Sequence, residues 1–383
     1  LPNASDTRTI TAAPVRRRFT VTRSRLVTLA LLVALVVLAL NAPAMMPNAY
    51  ILSIAIVILN YAALATSWNF MGGFTGYISL GHAAYFGLGA YGTALLITKA
   101  SVPSFVALVL AALVVAVLAV PIGIAALRVR GASFVIVSIA LVLILLLVFQ
   151  SWASFTGGSS GLTVPRPFPE LLRAEHHLRF YFLYLALLAV ALACWWAIDR
   201  SRFGMGLKAI REDEDKAQSL GVPTFAYKLI AFVVSATFTA ATGGLYALWF
   251  GDLDPVFQFS ILIGAYMVLM SLLGGVRSLF GPALGALIVG FALEYFKVSF
   301  GDSEFHLAAT GILLAVVVLF MPEGIIPASR ALYDRVFGGG ETSIREMTAE
   351  DLLARDRRQT ADPAETADPA ITPPTSDRAE VPR

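Results

Sequence analysis

Long apolar runs almost free of charge recur along most of this sequence, and they leave the chain few folds to choose from. A helix crossing a bilayer needs roughly 20 mostly apolar residues, because about 30 Å of hydrocarbon is covered at 1.5 Å per residue. Ten runs approach that length, near 26–41, 48–68, 80–98, 104–127, 133–152, 180–198, 225–249, 258–274, 281–298 and 305–321. The first and third are short enough to re-enter rather than cross. Residues are 58% hydrophobic and 14% charged, against about 25% charged in an ordinary soluble domain. Such a chain cannot cover its apolar surface in water. In lipid each backbone polar group must be satisfied within the segment, which excludes open strands and selects helices. The expected fold is all-α, a polytopic transmembrane bundle of about ten spans.

Charge sets the orientation. With a cytoplasmic N-terminus, inside segments hold 23 of the 28 basic residues: six before residue 26, Arg128 and Arg130, six from Arg200 to Lys228, Arg277, and eight after 329. Lys99, Arg166, Arg173, Arg179 and Lys297 are left outside or at an outer edge. The positive-inside rule favours that arrangement, so both termini are expected in the cytoplasm. Residues 1–25 form a basic N-terminal segment, 26–327 a transmembrane domain with an inside loop at 199–228, and 328–383 a cytoplasmic tail. The tail is rich in Pro, Ala, Asp, Glu and Thr and is expected to be largely disordered. The basic residues before the first run resemble a secretory signal, but no small-residue cleavage site stands out after Leu40, and the run reads as a retained anchor.

Chemistry-bearing groups are sparse. A single cysteine, Cys194, and 4 histidines give no metal set, and Glu175-His176-His177 lacks a third ligand at useful spacing. No cluster of acid, base and nucleophile suggests catalysis, and no Gly-x-x-x-x-Gly-Lys-Ser/Thr phosphate loop is present. No cofactor, metal or nucleic-acid partner is expected. Glu294 and Lys297 have the spacing of an i, i+3 ion pair at an outer helix end. Asp252 and Asp254, before Pro255, mark an outside turn.

Two segments stand out. The inside loop is the most charged stretch between runs. Leu207 with Ile210, and Ala217 with Leu220, repeat at helical spacing, and Gly221 is placed as a stop with Pro223 beyond it. This reads as a short amphipathic helix pair whose apolar patch seats in a partner's groove, or as a solvated loop that only sets topology. The second segment carries Gly72, Gly73, Gly76, Gly81, Gly87, Gly89 and Gly92. Small residues there either let helices approach closely or permit a broken helix lining a solute path. His82, Ser79 and Asn69 are polar residues in the same region, where an intramembrane ionisable group is a candidate for function or a partner for a neighbouring helix.

Four stretches resemble signatures of branched-chain amino-acid ABC transporter permeases of the LivM type. They are Arg202 to Gly221, Ser67 to Tyr91, Thr156 to Leu162 and Gly274 to Gly285, in that family's order over roughly 48–327. Tyr77 stands where the family pattern has Gln, and Lys216 interrupts a pair of small residues. The resemblance implies an ABC-importer permease fold, not an enzyme. It also implies the bacterial inner membrane, a homologous second permease subunit, two ABC ATPase subunits and an extracytoplasmic solute-binding protein. It gives Gly204 to Gly221 the role of coupling loop, with Arg211, Glu212, Asp213 and Glu214 as the contact surface. Gly76, Ser79, Gly81, His82, Gly87 and Gly89 would serve the translocation path or helix packing. The implied cargo is Leu, Ile and Val, with urea and amides open within the class. An ion-coupled carrier is the rival; it needs an acid deep in the bundle, and Glu294 is nearly the only candidate.

Overall fold

A computed structural model describes residues 40–45, 48–301, 311–312 and 324–325. Among the described residues, ten helices of six residues or more carry the architecture. They are α1 (Ala49–Thr75), α2 (His82–Ala100), α3 (Ser104–Ala126), α4 (Ala132–Ser151), α5 (Arg173–Arg200), α6 (Arg202–Glu212), α7 (Glu214–Ser219), α8 (Thr224–Phe250), α9 (Ile261–Gly274) and α10 (Gly281–Phe300). The only strands among the described residues, β1 (Leu162–Thr163) and β2 (Asp252–Leu253), pair antiparallel, Leu162 opposite Leu253.

Seven helices among the described residues are long and apolar enough to cross a membrane. They comprise α1, α3, α4, α5, α8, the stretch Pro255–Gly274 that contains α9, and Gly281–Ser299 within α10. The count of about ten is therefore not reached. The runs 26–41 and 305–321 lie outside the described residues, apart from 40–41 and 311–312. The run 80–98 is a helix, α2, but it is not apolar enough to stand among the seven. It does not need an apolar surface, because most of it is enclosed by protein: Ala83 to Gly87, Gly89 to Tyr91, Thr93 and Ala94 are all buried.

α8 packs against α2, α3 and α1, and α1 packs also against α5, α9 and α10. Glycines make the closest of these approaches possible. A Cβ at Gly89 would overlap the backbone of Ala240, and one at Gly243 the carbonyl of Phe86, so α2 and α8 cross with their backbones nearly touching. Small residues at such crossings are how lipid-embedded helices gain contact area. The α9–α10 hairpin uses the same device, with Gly285 against the Met270 carbonyl and Gly274 against that of Gly281.

α4 buries one stripe, Phe134, Ser138 and Val142, spaced four apart, and turns Ile136, Ile144 and Leu147 outward. α3 likewise exposes Val109, Leu113 and Val117. Such an apolar exterior suits a lipid surrounding rather than water. The Thr156 to Leu162 signature forms the loop that leads into β1. Its Gly157, Gly158 and Gly161 all have positive φ, and a Cβ at Gly161 would overlap the Leu253 carbonyl.

Candidate functional site

α6 and α7 are separate helices because each has its own N-terminal cap. The Ser201 hydroxyl accepts the Gly204 N–H at 3.0 Å. Asp213, extended between the two helices, accepts the N–H groups of Asp215 at 3.1 Å and Lys216 at 3.0 Å. These bonds, led by Lys216, hold the Asp213 carboxyl below its ordinary value. α7 closes with a Schellman pattern: Val222 N–H to Ala217 O at 3.1 Å and Gly221 N–H to Gln218 O at 2.9 Å, with Gly221 at φ +86°. Gly204 lies where a Cβ would overlap the Ile198 carbonyl, so α6 folds tightly over the end of α5.

The apolar face of this pair is already occupied, which corrects the expectation that it seats in a partner. Leu207, Ile210 and Ala217 are buried in the chain's own cluster with Phe74, Trp195 and Phe232. Leu220, 84% exposed, is the exception among the four. The outward face presents Met205, Lys216 and Leu220.

The four charged residues from Arg211 to Glu214 divide. Glu212 faces out and pairs with Arg277 in the α9–α10 turn at 3.2 Å. Asp213 is the cap. Arg211 reaches the other way and donates to the Gly73 carbonyl at the end of α1, one of the terminal carbonyls that lack a helical donor. Burial, then the neighbouring Arg277, lowers its pKa.

Glu214 turns inward. Its Oε1 lies 2.5 Å from Lys228 Nζ and 3.3 Å from Arg130, and its Oε2 accepts the Tyr77 hydroxyl at 2.7 Å. Lys228 also donates to the Tyr77 oxygen at 3.0 Å and lies over that ring. Burial raises the Glu214 pKa, but the bonds from Lys228 and Tyr77 and the charges of Lys228 and Arg130 outweigh it. The carboxyl is held below the usual range and is ionised. Tyr77 is pushed up, by burial first and the Glu214 bond second, and stays a donor. One carboxylate thus joins α7 to the α1–α2 turn, the α3–α4 turn and the first turns of α8. Tyr77, noted only as a departure, and Arg130, Lys228 and Arg277, noted only as inside charge, are the partners that sequence reasoning missed. A lysine four residues into an apolar helix, as Lys228 is, was the available signal.

The glycine-rich segment is divided between turn and packing. Gly76 ends α1 at φ +75°, its N–H bonded to Gly72 O at 3.1 Å, with Arg211 3.3 Å from the position of a Cβ. Gly81 packs on Ser138, a Cβ there lying 2.9 Å from its carbonyl, and Gly87 packs on the Phe259 ring. Ser79 is buried; its carbonyl accepts the Trp68 indole N–H at 2.7 Å, while its hydroxyl has no partner. Buried Asn69 has no partner for either side-chain polar atom. His82 Nε2 lies 2.6 Å from the Ser235 hydroxyl, which donates to the Ser67 carbonyl at 2.6 Å. Since a carbonyl only accepts, the serine proton is used there and Nε2 carries the imidazole proton. That relay ties α2, α8 and α1 together. The sequence's other candidates are placed as follows. Glu294 accepts from Tyr50 at 3.3 Å, and no ion pair joins it to Lys297 among the described residues. Asp254 caps the turn at Val256. His177 accepts the Trp249 indole N–H at 3.1 Å, and no group of metal-ligating side chains occurs among the described residues.

Residues 50–322 match the family described as "Branched-chain amino acid transport system / permease component". The chain belongs to this family. The permease is 28% identical over 323 residues to the high-affinity branched-chain amino acid transport system permease protein LivM of Escherichia coli (strain K12), covering 78% of this chain and 75% of that one. LivH of the same strain, which carries the same description, is 29% identical over 189 residues, 46% of this chain and 59% of LivH. BraD of Pseudomonas aeruginosa, likewise so described, is 33% identical over 129 residues, covering 34% and 41%. No solved structure matches the chain. The protein is a multi-pass membrane permease, a transport component rather than an enzyme.

Proposed function

We propose that this permease is the membrane subunit of an ATP-binding-cassette importer that carries the branched-chain amino acids Leu, Ile and Val into the cytoplasm. The observation that carries this reading is the seating of α6 and α7. Their apolar face is bound to the chain's own bundle, their charges reach the inner ends of α1 and α8 and the turns between helices, and their outer face is left to a second protein. A push on that outer face reaches several membrane helices at once. ATP hydrolysis is assigned to two partner ATPases. A solute-binding protein outside and a homologous second permease complete the assembly. That LivM and LivH of one organism both resemble this chain supports pairing of two such permeases. The membrane is the bacterial inner membrane, with 1–25 and the tail 328–383 in the cytoplasm and 26–327 carrying transport.

The test is uptake of labelled leucine into proteoliposomes. The permease with its co-purified partners should accumulate leucine only with ATP, and the isolated chain should accumulate none. Accumulation by the isolated chain that a protonophore abolishes would replace this reading with an ion-coupled carrier.

A further inference from the structure

At the end of the bundle opposite α6 and α7, a cavity of about 300 Å³ opens beside the start of α5. Its lining combines cationic and polar groups, Arg166, Arg173, His176 and His177, with apolar ones, Phe168, Leu171 and Trp249. Neither arginine has an ion-pair partner among the described residues, although Glu170 and Glu175 are close in sequence. Arg166 acts electrostatically on both imidazoles and Arg173 on His177, so the cations share one space. Arg179 lies over the Phe168 ring, 4.5 Å from its centroid, and adds a third guanidinium beside the cavity. His176 is 8% exposed and its Nε2 has no hydrogen-bond partner.

The sequence makes this concentration of charge informative. In the topology expected from the sequence, 23 of the 28 basic residues fall on the other side, and three of the five outer ones, Arg166, Arg173 and Arg179, gather here. Cations on that side work against the orientation rule, which is a reason to expect them to bind something. Guanidinium groups pair with carboxylates and phosphates, often through two parallel bonds. The apolar lining adds a demand for hydrocarbon, and the volume is at the lower end for small-molecule sites. Ser53, Trp249 and Phe250 also form a wall of a second, larger cavity of about 580 Å³ within the bundle.

We propose that this outer pocket binds small apolar carboxylates, with the carboxylate between Arg166 and Arg173 and the hydrocarbon against Phe168, Leu171 and Trp249. Resting on the transport reading, it is the place where a branched-chain amino acid first meets the permease; the binding chemistry itself stands apart from that reading.

Tryptophan fluorescence of the full chain in nanodiscs tests this, with Trp249→Phe locating the signal. The probes are L-leucine, 4-methylpentanoate, which keeps the carboxylate and loses the ammonium, and leucinol, which lacks the carboxylate. Leucine and 4-methylpentanoate should bind, and leucinol should bind about tenfold more weakly or worse, the worth of a charge-assisted hydrogen bond. Arg166→Gln with Arg173→Gln should cost the two acids about tenfold or more, and Arg166→Lys should retain part of the affinity. Both arginines are exposed, so these variants are expected to fold. Leucinol binding as well as leucine, or the double variant binding both acids normally, would overturn the proposal. So would a signal that follows only the content of anionic lipid, which would make the pocket a headgroup site. A double variant that loses only docking of the solute-binding protein would overturn it too. If 4-methylpentanoate binds but the assembled complex moves no leucine, the transport reading fails and this site stands.

Discussion

The ammonium of Lys228 and the carboxylate of Glu214 lie 2.5 Å apart on different helices, with side chains only 3% and 12% exposed. Neither charge has water enough to stand alone, so each depends on the other. Removing one partner of a buried pair typically costs about 3–5 kcal/mol, whereas replacing both by apolar groups is often near neutral. Glu214→Ala should therefore lower the thermal stability of the purified permease far more than Glu212→Ala, whose pair with Arg277 is mostly exposed. Adding Lys228→Met to Glu214→Ala should recover much of the loss. A double variant less stable than the single one by the full sum would show that the two residues are not coupled.

Acid should act on the same carboxylate late. The Glu214 pKa is lowered in the folded protein, so its contribution is complete above the unfolded value of about 4.3. It is lost as pH falls through the lower folded value. Hydrogen exchange of α6 and α7, corrected for intrinsic rates, should show protection unchanged from about pH 8 to 5 and reduced only below about pH 4. A drop centred between pH 6 and 7 would place control with another group.

Two glycines separate packing from backbone conformation. At Gly89 the obstacle to a side chain is the backbone of Ala240, so even Ala should cost about 1–3 kcal/mol by overpacking, and larger residues should block assembly. At Gly221 nothing lies within 4 Å of a Cβ, and only φ +86° resists substitution. Asn there should be mild and Val worse, because Asn tolerates the left-handed region and a β-branched residue does not. Thermal unfolding of both series in detergent checks the two rankings; identical rankings at the two sites would defeat the distinction.

The His82–Ser235 contact should be structural before it is anything else. Hydrogen bonds between membrane helices average about 0.6 kcal/mol and reach about 1.7, so Ser235→Ala should be modest. His82→Ala should cost more, since the fully buried imidazole packs near Tyr85 and Phe232 and its loss leaves a cavity. Unfolding of the single and double variants measures the coupling. A Ser235→Ala permease that is stable yet transports at least tenfold more slowly would move this relay to the solute path.

Periodicity and charge made most of the bundle legible: the apolar runs from 48 to 298 all proved helical, and Gly221 stopped α7 where its flanking residues said it would. Periodicity cannot say what covers an apolar face. Leu207, Ile210 and Ala217 looked like a docking patch, and their partners are Phe74, Trp195 and Phe232 of the same chain. Nor could a run of like charges reveal direction. Glu212, Asp213 and Glu214 are equivalent on paper, but the Asp213 cap breaks the helix between them and sends one carboxylate out and the other in. The Glu214 partners come from residues 77, 130 and 228, a convergence that only the folded chain displays.

The 27 residues of α8 make a rod of roughly 40 Å, gripped by Glu214 at Lys228 and pressed against Gly89 at Ala240. The far end carries Trp249, which lines both cavities. With the Gly89–Ala240 contact as fulcrum, the lever arms are roughly 18 Å inward and 13 Å outward. A tilt of about 5° then carries Lys228 about 1.6 Å one way and Trp249 about 1.2 Å the other. A displacement of α7 too small to break its ion pairs is thus enough to reshape the walls of both cavities on the opposite face.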